Sequence, residues 1–135
     1  MTTTSHTTDA EIRASIDEAE NAWLTALTEG EQAMRSLMLD DSHVVHGPIG
    51  KIDGPDSFVA FASQRRRTVF ARAEDTTVIV RGDVAIVTCL QEMHVVFTED
   101  LPPFPIQEAV SRVWKYTVDG WRLAHMHQSK RQPPA

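Results

Sequence analysis

The spacing of apolar positions changes period partway along this chain. Behind Thr8-Asp9-Ala10-Glu11, which has the spacing of a capping box, Ile12, Ile16, Ala19, Trp23 and Ala26 recur at alternating steps of four and three. That stripe predicts a long amphipathic helix ending near Gly30. A second, shorter helix fits Glu31 to Leu39, with Met34, Leu37 and Met38 as its buried side, and Asp40-Asp41-Ser42 breaks it. His43 to His46 then alternates, Gly47-Pro48 turns the chain, and Gly50 to Gly54 makes a short return. Pro55 falls at the first position of a third helix whose apolar side is Phe58, Phe61 and Ala62. After Arg67 the period is two. Glu74 to Val80 and Val84 to Phe97 are rich in Thr, Val and Ile and flank Gly82-Asp83, a hairpin signal. Thr98 to Pro105 carries three prolines and reads as a loop rather than a central strand. Helices first and a meander of strands afterwards predict an α+β fold with the helices on one face of the sheet.

The last hairpin carries the most information. Val110 to Val118 and Trp121 to Ser129 flank Asp119-Gly120, and a two-residue turn there sets the pairing. Val118 then faces Trp121, Tyr116 faces Leu123, Trp114 faces His125 and Arg112 faces His127, and opposed residues share a face. That face is apolar and aromatic, with Arg112, His125 and His127 as its polar groups. The other face holds Lys115, Val113, Ser111, Arg122, Ala124, Met126 and Gln128. The expected architecture is a curved antiparallel sheet wrapped around the long N-terminal helix, with two shorter helices, forming a conical pocket. Concave, largely apolar sites of that kind are where ligands bind by default.

Composition narrows the function. The chain of 135 residues, 41% hydrophobic, is expected to form one domain over residues 9–129, with disordered tails at 1–8 and 130–135. Its one cysteine, Cys89, lies in an apolar run, so there is no disulfide framework and a reducing, cytoplasmic setting is expected. A buried small hydrophobe outweighs a reactive thiol there. A formal charge of −6 argues against a nucleic-acid partner, and Arg65-Arg66-Arg67 falls at a helix end, where cations complement the dipole. No apolar run approaches the roughly 18 residues of a membrane span. The opening Met1 to Thr8 is polar and Thr-rich, unlike a signal peptide.

Along the chain stand Ala22-Trp23-Leu24-Thr25-Ala26-Leu27 followed by Glu29-Gly30, Asp40-Asp41, His46-Gly47-Pro48-Ile49-Gly50, and Arg81-Gly82-Asp83-Val84-Ala85. In that order these motifs resemble the nuclear transport factor 2-like superfamily of cystatin-like α+β barrels, and within it the SnoaL-like proteins. The ending Ser111-Arg112-Val113-Trp114 with Asp119-Gly120-Trp121-Arg122-Leu123-Ala124-His125-Met126-His127-Gln128-Ser129 resembles the association domain of calcium/calmodulin-dependent kinase. There, the resemblance implies, an arginine at the position of Arg112 lines an anion-accepting pocket. Matching Ala85 to the resembling domains turns Gln91 and Met93 inward. The ketosteroid isomerase branch places its catalytic groups at positions that here are Trp23, Arg112 and Gly47. None of the three can do that chemistry, so steroid-type isomerisation is not expected.

Two readings follow. In one, the pocket takes a small, partly apolar, anionic molecule, and the protein is an isomerase, lyase or hydrolase using histidine as acid and base. His46, beside Gly47-Pro48, and His127 are the candidate proton-moving residues. Arg112, His125, Trp114, Trp23, Gln91, Met93 and Tyr116 are the candidate ligand-binding residues. In the other reading the chain is a non-catalytic dimerisation or ligand-sensing module. Arg112 must meet an anion in either case, an internal carboxylate such as Glu108 or Glu92 or a ligand carboxylate. His125 and His127 could join His46 on a metal, but no carboxylate at matching spacing supports it, so neither metal nor cofactor is expected. A homodimer is expected through the outer sheet face, where Ile86, Leu90, Val113, Ala124 and Met126 would leave an apolar stripe in water. His43 and His94 are out of phase with the pocket face, which places them in solvent or near a subunit contact.

Overall fold

The computed structural model describes residues 8–131, so most of both expected tails lies outside the described residues. Helix α1 (Asp9–Glu29) begins in the capping box, where the Thr8 hydroxyl accepts from the Glu11 amide at 3.1 Å, and stops at Gly30, whose φ is 112°. Helix α2 (Glu31–Ser36) is shorter than its apolar pattern predicts. The Leu123 amide donates to the Leu37 carbonyl at 2.7 Å, and Met38 pairs with Leu123. That pairing draws the chain into strand β1 (Met38–His46) well before His43. Arg35 holds Asp40 at 2.7 Å and Asp56 at 2.8 Å, so the strand runs through the acidic residues that were expected only to end the helix. A 3-10 turn, Gly47–Ile49, leads to β2 (Lys51–Asp53) and then to α3 (Pro55–Gln64). Four long strands follow: β3 (Arg67–Arg81), β4 (Val84–Val96), β5 (Phe104–Thr117) and β6 (Gly120–Lys130).

The fold is α+β, but the sheet corrects the expected architecture. Its six strands run in the order β2-β1-β6-β5-β4-β3, and β1 pairs with β6 in parallel, so the sheet is mixed. It is also open: among the described residues β2 and β3 are free edges, and the sheet does not wrap around α1 into a closed cone. The physical reason lies in the connection. The helix-bearing crossover from β2 carries the chain to the far edge, and the meander then returns strand by strand until β6 reaches the uncovered side of β1. Side chains fill the space between α1 and the inner face, where Ile16, Trp23, Trp114, Leu123, Met126 and Val44 are fully buried.

The last hairpin also departs from its expected register. The two turn residues are Val118 and Asp119, and Thr117 pairs with Gly120. Gly120 has φ 102°, as expected where a tight turn is followed by a glycine bulge, and the Thr117 hydroxyl donates to the Gly120 carbonyl at 2.8 Å. Trp114 therefore faces Leu123 and Tyr116 faces Trp121. A second irregularity between Leu123 and His125 then changes the phase, so Arg112 faces Met126 and Ser111 faces His127. Met126 and Gln128 turn inward as a result, and His125 and His127 turn to the outer face. Met126 leaves the expected outer stripe by the same slip.

Candidate functional site

Two groups of functional side chains emerge, one on each face of the sheet. On the inner face Arg112 is fully buried. Its Nε and Nη2 donate to the two carboxylate oxygens of Glu20 at 2.8 and 2.7 Å, and its Nη1 donates to Gln91 Oε1 at 2.7 Å. Trp114 Nε1 donates to the same Glu20 carboxylate at 2.8 Å. The internal partner is thus Glu20 of α1, in place of Glu108 or Glu92. Burial opposes the Arg112 charge, but the hydrogen bonds and charge of Glu20 outweigh it and raise the guanidinium pKa. Cys89, 3.3 Å from Arg112 Nη2, has its thiol pushed up by burial. Glu20 could have been found in the sequence: it sits between Ile16 and Trp23 on the apolar stripe of α1, and a carboxylate on a buried helix face needs a buried cation.

A second inner cluster lies where β1 and β6 meet α3. His46 is buried opposite Gln128 in the parallel register and packs on Phe58 and Phe61, with ring centroids 5.3 Å away in each case. Its Nε2 is 3.3 Å from Asp53 Oδ2 but misaligned, and Lys51 Nζ is also 3.3 Å from that oxygen; among the described residues neither His46 Nε2 nor Asp53 Oδ2 has a hydrogen-bond partner. Gln128 Oε1, Glu108 Oε1 and Gln91 Nε2 are also buried without partners among the described residues. Burial lowers the His46 pKa against the pull of Asp53, and burial raises that of Glu108 against the pull of Arg66 and Arg112. This end of the inner face carries unspent acceptors and the His46 nitrogen, whereas the Arg112 guanidinium itself is internally paired.

Of the other residues that the sequence singles out, Trp23 is core against Phe58, and Met93 is buried on the inner face beside Ala71. Tyr116 is 55% exposed and meets Trp121 edge-on. His127 is exposed, 3.5 Å from the Ser129 hydroxyl, and on the opposite side of the sheet from His46. The two candidate proton-moving histidines are therefore not brought together. Among the described residues no group of three or more His, Cys, Asp or Glu side chains could hold a metal ion, and no helix is long and apolar enough to cross a membrane.

The outer face has its own order. One cross-strand row reads Ile79, Ile86, Val113, His125 and His43, and the next reads Thr77, Thr88, Ser111, His127 and Val45. Neither row contains an acid, a lysine or an arginine. Ile79 is 42% and Ile86 37% exposed. Beside them is an open depression of about 370 Å³ whose lining includes Asp75, Leu90, Ala109, Ser111, His127 and Ser129.

The family model of the SnoaL-like domain matches residues 16–133. Among solved structures, the chain is similar to one from Exiguobacterium sibiricum described as a candidate calcium/calmodulin-dependent kinase II association domain. The TM-score is 0.80 and the identity 14%, with 99% of each chain covered. The CaMKII hub of S. rosetta is similar with a TM-score of 0.72 and 24% identity over 87% of this chain and 95% of that one. An NTF2-like protein from Cytophaga hutchinsonii is similar with a TM-score of 0.78 and 18% identity over 88% of this chain and 98% of that one. At these identities the likeness is one of fold. No curated protein sequence matches the chain.

Proposed function

Because this chain belongs to the SnoaL-like domain family, a fold that serves both catalysis and assembly, we propose that it is a non-catalytic association module, a cytoplasmic homodimer joined through the outer face of its sheet. The observation that carries this reading is the pair of uncharged rows across β3, β4, β5, β6 and β1, with Ile79 and Ile86 left in water. A face of aliphatic, hydroxyl and imidazole side chains without acids, lysines or arginines is one that a two-fold contact can bury, because each copy meets the same surface. Similar structures include ones described as an association domain and a hub, which supports assembly as the role of the fold here. The internally paired Arg112 supports the same reading, since its guanidinium is taken up by Glu20 and Gln91. The lone Cys89 fits a reducing compartment, and residues 9–129 are taken as one domain.

Sedimentation at micromolar concentration and neutral pH should give twice the 15.1 kDa chain mass. Ile86→Glu, which puts a carboxylate in the centre of the face, should give the single-chain mass with an unchanged circular dichroism spectrum. A monomeric parent protein would overturn the proposal.

A second reading, ligand sensing, is favoured by one observation: the unpartnered His46 Nε2, Gln128 Oε1 and Glu108 Oε1 at the inner polar end. Buried polar groups are satisfied by water or ligand when not by protein. A small polar molecule there would take hydrogen bonds from His46 and give them to Gln128 and Glu108. A shift of the His46 ring resonances on addition of small carboxylates or amides would support it. Resonances unmoved by the whole panel would leave these groups to water.

A further inference from the structure

We infer that association is gated by pH through His43, His125 and His127. This rests on the outer face being the contact between two copies.

The geometry places three imidazoles in the middle of that face. His43 and His125 are direct cross-strand partners in the parallel β1–β6 pairing, and His127 lies one row on, beside Val45 and Ser111. The helices pack on the opposite face, so the charged groups that face these rings come from the sheet itself. They are Asp41, two residues before His43 on β1, and on β3 Asp75, which lines the depression with His127, Glu74, level with Leu90, and Arg81, level with Val84. From β5 and β6, Lys115 and Arg122 face each other beyond Val113, with Lys115 held by Asp83. β4 contributes only Ile86 and Thr88 in these rows, and β2 contributes Ile52 beside Val45. No carboxylate forms an ion pair with any of the three rings among the described residues.

Neutral imidazoles can be covered by a second copy at little cost. Protonated ones would put like charges directly opposite one another within each copy, at His43 and His125, and would lose water at the contact. Histidine changes charge between about pH 5 and 8, so the contact opens as the solution acidifies. Global charge works the other way: a chain of formal charge −6 becomes less negative on acidification, which favours self-association. The change in global charge therefore does not drive dissociation in acid, and the groups in the contact oppose the global effect.

If one histidine per copy must stay neutral, two protons are excluded per dimer. The dimer dissociation constant then rises on acidification, with two protons taken up for each dimer that separates. The test is sedimentation of the full chain at pH 8 and pH 6, with circular dichroism at both. The combined variant His43→Gln/His125→Gln/His127→Gln is run in parallel. The expected result is a parent dimer at pH 8, a folded parent monomer at pH 6 over a suitable dilution series, and a variant that remains dimeric at both. A parent that stays dimeric with equal affinity at both pH values overturns the gating and leaves the association reading standing. A parent monomeric at both overturns the two together. Dissociation of the variant in step with the parent, or loss of the folded spectrum at pH 6, also overturns the gating, because the dissociation would then have another cause.

Discussion

Arg112 holds a full charge with no contact to solvent; Glu20 balances it, and Gln91, Cys89 and Met126 accept from it as well. Arg112→Met would leave the Glu20 carboxylate buried with only the Trp114 indole as donor. The expected loss is about 3–5 kcal/mol in urea denaturation, the cost of breaking a buried pair. Adding Glu20→Gln to that variant should restore part of it, and a loss below about 1 kcal/mol would show that the pair does not hold α1 to the sheet. Glu108 makes the opposite prediction. Burial raises its pKa in the fold, so the ionised form costs stability above the folded pKa. That cost disappears as pH falls through the folded pKa towards the ordinary carboxylate value, about 4.3. Glu108→Gln should therefore raise the melting temperature at pH 8 and change it little at pH 4. A variant less stable at pH 8 would mean that Arg66 holds the carboxylate as a working ion pair. The Arg112 charge was legible in the sequence because an arginine on an apolar strand face must find an anion. The burial of Glu20 was legible too, from its place on the apolar stripe of α1, but the pairing of the two was not, because residues 92 positions apart meet only once α1 lies on the sheet.

At the scale of elements, the ends of β1 and β6 depend on two glycines. A Cβ on Gly47 would come within 2.5 Å of the Gln128 carbonyl oxygen, a backbone atom that cannot swing away. Gly47→Ala should push β1 from β6 and cost about 1–3 kcal/mol, with the His46 ring signal moving in the same spectra. An unshifted His46 signal in a fully stable variant would show that the turn relaxes elsewhere. Gly120→Ala places a side chain at φ 102° and should cost about 1 kcal/mol by denaturation, with no effect on the Arg112 pair. The hairpin also shows where reading stops. Alternation correctly turns Trp121 and Leu123 inward with Trp114, but the slip before His125 changes the phase, and each residue beyond it moves to the other face. A one-residue bulge has no hydrophobic signature of its own. The outward turn of His125 and His127 follows from it.

For the whole molecule, folding should be independent of bound metal. Dialysis against a strong chelator is expected to leave the melting temperature unchanged, and a large drop would point to a site formed between copies. Much of the architecture could be read from residue spacing alone. The capping box at Thr8, the stripe of α1, Pro55 at the start of α3 and the period-two runs after Arg67 all report local physics, in which each residue's burial is set by its own helix or strand. Those signals suffice for an α+β chain with helices on one face of a meander. Tertiary structure alone decided the parallel β1–β6 pairing, the open edges, the partner of Arg112 and the face on which two histidines stand. Each of these depends on which distant segments compete for one hydrogen-bonding edge or one buried charge, and local periodicity carries no record of that competition.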